Sequence, residues 1–312
     1  MISEAIKSKY ANLLSQFRTA KKEIFQRSKR LWRNAFIGYI ALVIVAFVII
    51  AAKSIRLEGP LFVLPFLIPA LVFLIPVLIT SNLKGAWSRK YKDEVFKPIV
   101  EAQFPGIVYD NDYHISKSMF NASNLFTRPD RFSGEDLFSG QLDATAFSFS
   151  EIHAEEKHET KDKDGNKSTY YSTIFRGLFL IADFNKEIQN ETYVYSSGGK
   201  WFSRFKRVRL ENVEFEDRFN VYSDDQIEAR YILTPKMMER IVDLEDRFGA
   251  NLYMSFRGHN MYLAISQSYN MFEASIREEV SFNQVERFLL EVQSILDIIN
   301  DLDLNLRIWT KQ

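Results

Sequence analysis

The sequence predicts a membrane-anchored α+β protein, with an amino-terminal hairpin of two transmembrane helices followed by a soluble domain of antiparallel sheet with packed helices. Three observations carry this reading. Ala35–Ala52 holds eighteen residues without a charge, and a second uncharged run follows from Gly59 to Leu83. Basic residues crowd the flanks of both runs, and beyond Pro105 alternating strand patterns and capped helices take over.

A helix rises about 1.5 Å per residue, so the first run nearly crosses a hydrocarbon layer of roughly 30 Å. The second is longer, and the link Lys53–Glu58 between them is too short for a domain. In lipid each backbone polar group needs an internal partner, which makes both runs helices, here 35–52 and 60–83. A core hairpin of a soluble protein would show a polar face, and neither run has one. Residues 1–34 contain nine Lys or Arg against Glu4 and Glu23, and Lys84, Arg89, Lys90 and Lys92 follow the second run. The link has only Lys53 and Arg56. Positive flanks stay inside, so both termini are expected in the cytoplasm.

Residues 1–34 read as a basic juxtamembrane helix with Ile6, Tyr10, Leu13, Phe17, Ala20, Ile24 and Leu31 on a coiled-coil-like stripe. Residues 84–104 continue the second span, with Trp87, Tyr91, Val95, Ile99 and Ala102 on one side. These two helices are expected to pack antiparallel or to serve self-association. Pro60, Pro65, Pro69 and Pro76 are half the prolines of the chain. Neither span carries an ionisable group of the kind that conducts ions or protons.

Residues 105–312 form the soluble part, with 24 basic and 34 acidic side chains. That sign makes nucleic acid an unsuitable partner and leaves the lipid bilayer and other proteins. The chain has no cysteine, which excludes disulfides and thiolate metal sites. The stretch 107–140 reads as loop-rich. Ala144–Ala154 and Tyr170–Asp183 read as a hairpin with a polar tip at Glu155–Ser168, and further strands are expected at Thr192–Ser196, Lys206–Glu211 and Phe215–Tyr222. Thr234, Pro235 and Gly249 bracket a helix as N-cap, first residue and stop. A second hairpin is expected from Leu252–Phe256 and Met261–Ser266. The last helix opens at Ser281 and turns Val285, Phe288, Leu289, Val292, Ile295, Leu296 and Ile299 to a core. The tail alternates Leu302, Leu304, Leu306 and Ile308 as a strand would.

Reaction centres are scarce. Asp162, Asp164 and Gly165 miss the calcium-loop frame, because Tyr171 stands where the bidentate Glu belongs. Ser197–Trp201 lacks the upstream Gly and the hydroxyl residue of a phosphate loop. Glu151, His153 and Glu155 share a strand face, which fits a solvated strand better than a metal site. No catalytic residue, cofactor or metal is assigned. One patch stands out: Lys200, Trp201, Arg204, Lys206, Arg207 and Arg209 interleave positive charge with aromatic rings in an acidic domain, a pattern that suits an anionic headgroup or ligand and equally an ordinary amphipathic strand plus loop.

The runs Phe96–Val100, Gly134-Glu135-Asp136 with Gly140, Phe149-Ser150-Glu151, Phe175–Phe179, Ala182–Lys186, Phe219–Ser223 and Glu228–Pro235 follow one another in an order that resembles the bacterial membrane-protein family known as domain of unknown function 3137. The resemblance covers the chain from about residue 90 onward. It implies a bacterial membrane protein with an amino-terminal hairpin, which with the basic flanks points to the bacterial inner membrane, and it implies no activity. The function expected is therefore a tethered cytoplasmic interaction or sensing module. The alternatives are a membrane-bound enzyme acting on a lipid or another anionic substrate, with Glu135, Asp136, Glu151 and Asp183 as its raw material, and a transport accessory subunit.

Overall fold

The computed structural model describes residues 4–53, 71–161, 166–196, 205–273 and 279–302. The chain divides into two compact units, Met1–Phe96 with Ala274–Gln284, and Lys97–Glu273 with Val285–Gln312.

The first unit is helical. Helix α1 (Glu4–Lys53) runs unbroken from the basic stretch into the apolar one, since nothing between them breaks a helix. Helix α2 (Leu74–Tyr91) lies antiparallel against it: Phe17 meets Trp87 and Tyr91, while Trp32 and Tyr39 meet Phe73. The seam buries Tyr10, Leu14 and Phe17, close to the stripe read from the sequence. The second span is where expectation and structure part. Among the described residues only α1 is long and apolar enough to cross a membrane. Residues 60–70 of the expected span lie outside the described residues, and the uncharged part that remains, 71–83, would rise only about 20 Å. At the far end of α2 a π-helical turn (Lys92–Phe96) follows. Tyr91 donates to Gln284 Oε1 at 3.3 Å, and Arg18 donates to the Val280 carbonyl at 2.9 Å, which ties residues 280–284 to the helices.

The second unit opens with α3 (Lys97–Gln103), β1 (Ile107–Asp110), α4 (Lys117–Ala122) and β2 (Arg131–Leu142). The stretch expected to be loop-rich is thus strand, helix and strand. Its aromatic residues, Tyr109, Phe120 and Phe138, are core side chains, and Ser116 caps α4 by accepting from Met119 N–H. Then come β3 (Thr145–Lys161), β4 (Lys167–Ser196) and β5 (Lys206–Val208). Next are α5 (Val213–Arg218), β6 (Phe219–Ser223), α6 (Gln226–Ile232), α7 (Pro235–Phe248), β7 (Leu252–Ser266) and α8 (Phe282–Asp301). Among the described residues every strand pairing is antiparallel, in the order β1-β2-β3-β4-β6-β5, with β7 pairing β4.

Four local expectations change. The strands expected at 170–183 and 192–196 are parts of β4, whose register slips between Asp183 and Thr192. Leu252–Ser266 is one strand and not a hairpin, because β4 pairs it along its length and Gly258, at φ +60°, sits opposite Ile188 without reversing the chain. Residues 213–218 are helical before the strand starts, since Asn212 accepts from Phe215 N–H and nucleates a turn. The hairpin strands also run farther than expected, to Lys161 and from Lys167; residues 162–165 and the alternating tail from 303 lie outside the described residues.

Both faces of the sheet are covered. On one face Phe120 and Phe126 pack on Phe175, Phe179 and Tyr195 with their neighbours. On the other, Phe138 stacks on Phe149 and Tyr109 and meets Phe272 and Phe288. Helix α8 buries every residue of its expected stripe. The α7 bracket forms as read: Thr234 accepts from Met237 N–H at 3.3 Å, and Gly249 closes the helix at φ +56°. Replacing Thr234 by Ala is expected to cost about 1 kcal/mol in denaturant unfolding, with Thr234→Ser close to unchanged.

Candidate functional site

In an antiparallel pair, residues opposite each other share a face, and Glu135 of β2 stands opposite Glu151 of β3. Period-two alternation would send the next residue, Asp136, to the other face. A bulge between Glu135 and Phe138 prevents that. Asp136 takes φ +60°, and the extra residue keeps its carboxylate beside the other two. One carboxylate oxygen from each of Glu135, Asp136 and Glu151 lies within 4.8 Å of the others. Asp136 and Glu151 are buried.

The protein supplies donors to all three. Asp136 accepts from the Tyr109 hydroxyl, Glu151 Oε1 accepts from the backbone N–H groups of Met271 and Phe272, and Glu135 Oε1 accepts from Asn270 Nδ2 at 2.8 Å. Arg176 then donates to Asn270 Oδ1 at 3.1 Å, so the amide bridges an acid and a base. A cleft of about 270 Å³ opens here, walled by Glu135, Glu151, His153, Arg176, Tyr269 and Asn270. Gly134 and Gly177 line its floor because side chains do not fit. A Cβ at Gly134 would lie 2.3 Å from the Glu151 carbonyl oxygen, and one at Gly177 would lie 2.1 Å from that of Ile265.

Of the carboxylates singled out in the sequence, three converge and Asp183 does not. It pairs with Asn260, seven residues along β4 from Arg176, about 23 Å on at strand rise. His153 lines the cleft and contacts Thr173 Oγ1 at 3.2 Å; Glu155 lies beyond a register slip in β3. Sequence reasoning missed Arg176, Tyr269 and Asn270 as site residues. The only signal was a pair of glycines inside strand patterns, where close backbone approach is the usual cause. Chemically the cleft offers carboxylate acceptors on one wall and a guanidinium–amide pair on another. That suits a small polar solute with a cationic group.

Of the basic patch, Lys200, Trp201 and Arg204 lie outside the described residues. Lys206 is exposed on β5. Arg207 reaches Asn220, the Phe219 carbonyl and Glu216, and Arg209 pairs with Glu216 at 3.0 Å while its side chain stays 77% exposed.

Residues 173–304 match the model of a family described as "Protein of unknown function (DUF3137)", the family that the residue runs resemble. That stretch includes Arg176, Tyr269 and Asn270 and leaves out the three carboxylates. No curated protein matches the chain. Among solved structures, the crystal structure of the mycobacterial trehalose monomycolate transport factor A, TtfA, is similar at 12% identity and a TM-score of 0.38. It covers 69% of this chain and 97% of that one, a likeness too loose to bear on function.

Proposed function

We propose that this chain, whose residues 173–304 match the family of unknown function DUF3137, is a membrane-tethered sensing module: α1 anchors it, and the cleft receives a small polar solute with a cationic group. The observation that carries the tether is the apolar window of α1, of which 6% is buried. Ile37, Ile44, Phe47 and Val48 are each more than half exposed, a greasy surface that water disfavours and hydrocarbon accepts. With the basic flanks, and with α2 returning antiparallel beside α1, the proposal places both termini on the cytoplasmic side of a bacterial inner membrane. Phe25, 69% exposed on the same helix, marks a side on which protein partners or a second copy would pack.

An enzyme acting on an anionic lipid is the weaker reading, because the convergent acids repel phosphate. A transport accessory role has only the proline-rich stretch before α2 in its favour.

The test has two arms. Full-length protein in alkaline-washed membranes is expected to stay in the pellet, and its release overturns the tether. Titration of the detergent-solubilised chain with amino acids, diamines and quaternary amines is expected to give a binder, with Glu135→Gln weakening it about tenfold through loss of a charged hydrogen bond. No binder in those classes, or one indifferent to Glu135→Gln, overturns the cleft and leaves the tether standing.

A further inference from the structure

Glu135 on β2 and Arg176 on β4 stand on one face of the sheet, because Glu135 lies opposite Glu151, Arg176 lies opposite His153, and those two are alternate residues of β3. With β3 between them they are two strands apart, roughly 10 Å. The Asn270 side chain spans the gap: Nδ2 donates to Glu135 Oε1 at 2.8 Å, and Oδ1 accepts from Arg176 Nη2 at 3.1 Å. One amide thus holds its donor against an anion and its acceptor against a cation. An α-amino acid offers the same pair with full charges, an ammonium donor and a carboxylate acceptor branching from one carbon. We infer that the cleft binds a free α-amino acid, whose ammonium replaces the Asn270 amide nitrogen at Glu135 and whose carboxylate replaces its oxygen at Arg176. The assignment rests on the reading of the cleft as a site for a cationic solute, and it narrows that solute to a zwitterion.

The exchange replaces two hydrogen bonds between an ion and a neutral amide by two between opposite charges. The planar guanidinium also presents paired N–H donors, which a carboxylate fills and a single amide oxygen does not. The displaced amide belongs to a half-buried side chain beside exposed Tyr269, so it returns to water. Other cations fit less well: a diamine brings a second ammonium toward Arg176, and a quaternary amine has no N–H to give Glu135. The other titratable side chains lining the cleft are Glu151, His153 and Tyr269. Glu151 Oε1 already accepts from Met271 and Phe272 N–H, and buried Asp136 beside it accepts from the Tyr109 hydroxyl. His153 contacts Thr173 Oγ1 and lies 4.0 Å from Glu155, and Glu273, exposed three residues beyond Asn270, does not line the cleft. Carboxylates therefore outnumber cations here, which disfavours a ligand that carries a carboxylate and no ammonium. At about 270 Å³ the cleft falls below the roughly 300–1,000 Å³ of sites for drug-sized ligands, the scale of one small metabolite and not of a peptide or a lipid.

The test titrates the detergent-solubilised full chain by calorimetry with each of the common α-amino acids, with putrescine and with choline. At least one amino acid is expected to bind more tightly than either amine. For the tightest, the amide derivative lacks the carboxylate and the N-acetyl derivative lacks the ammonium, and each is expected to bind at least about tenfold more weakly. Arg176→Gln should weaken the amino acid about tenfold and leave its amide unchanged, whereas Glu135→Gln should weaken both. A general loss of structure would instead move both ligands in both variants. Asn270→Ala removes the internal competitor and should tighten binding about threefold, with folding followed by circular dichroism. An amino acid and its amide that bind alike, an Arg176→Gln loss shared by the two, or binding abolished in a folded Asn270→Ala protein overturns the zwitterion. The first of these comparisons needs no variant, so it stands even where a substitution misfolds. Putrescine or choline binding that depends on Glu135 while no amino acid binds overturns the zwitterion and keeps the cationic reading. No binding by any of these probes overturns both.

Discussion

Gly177→Ala is expected to destabilise the sheet unit by at least about 4 kcal/mol, enough to leave little folded protein. Two independent effects add at this position. The backbone sits at φ +144°, which side-chain-bearing residues rarely adopt, and the new methyl would lie 2.1 Å from the Ile265 carbonyl oxygen and 2.7 Å from Gln267 N. Both obstacles are backbone atoms of the β7 segment. That segment is held in place by Gln267 N–H donating to the Arg176 carbonyl at 3.0 Å, so a rotamer change offers no relief. Gly85→Ala in α2 is the counter-case: nothing lies within 4 Å, and replacing a helical glycine stabilises by up to about 1 kcal/mol. Thermal unfolding of the two full-length variants, followed by near-ultraviolet circular dichroism, compares them directly. A Gly177→Ala protein that melts with the wild type would show that β7 does not pass where the structure has it.

Glu151→Ala is expected to cost about 3 kcal/mol. The carboxylate staples the chain after β7 to the sheet by accepting two backbone N–H groups, and alanine leaves those donors without their acceptor in a buried place. Glu151→Gln keeps a carbonyl oxygen that can accept the same two N–H groups, so its loss is expected to stay within about 1 kcal/mol. Hydrogen exchange supplies a local readout: the amides of Met271 and Phe272 should exchange much faster in the alanine variant and near the wild-type rate in the glutamine variant. Equal protection in all three proteins would remove the staple.

The staple also shows why a carboxylate cluster in a cleft need not be catalytic. Each acid already serves a neighbour: Tyr109 on Asp136, two amides on Glu151 and Asn270 on Glu135. Glu135 reaches a bridging side chain, Asn270, that a ligand can displace without exposing backbone donors. This is why Glu135→Gln tests binding and Glu151→Ala tests stability.

How much of this was legible before folding varies by element. Helices α7 and α8 were readable because their instructions are local: a cap, a proline at the first position, a glycine stop, and apolar residues every three or four positions. Strand identity was readable for the same reason, from alternation around Phe147, Phe149 and Phe179. Strand extent was not. Whether Arg257–Asn260 turns or runs straight depends on β4 lying alongside, and partner strands are not local information. The aromatic richness of 107–140 reads as loop until the core it fills is known.

By itself the sequence determined the uncharged helix, the basic flanks, the acidic balance of residues 105–312, and the caps and periodicities of the helices there. All of these rest on interactions between residues a few positions apart or with solvent. Only the tertiary structure decided that Glu135, Asp136 and Glu151 meet, that Asn270 joins them from more than a hundred residues away, and that α6 bonds the carbonyls of Arg207 and Arg209. A bulge moves one carboxylate to the face where the others stand, and strand pairing sets which distant backbone lies opposite. Both are properties of register, which emerges when the strands pair.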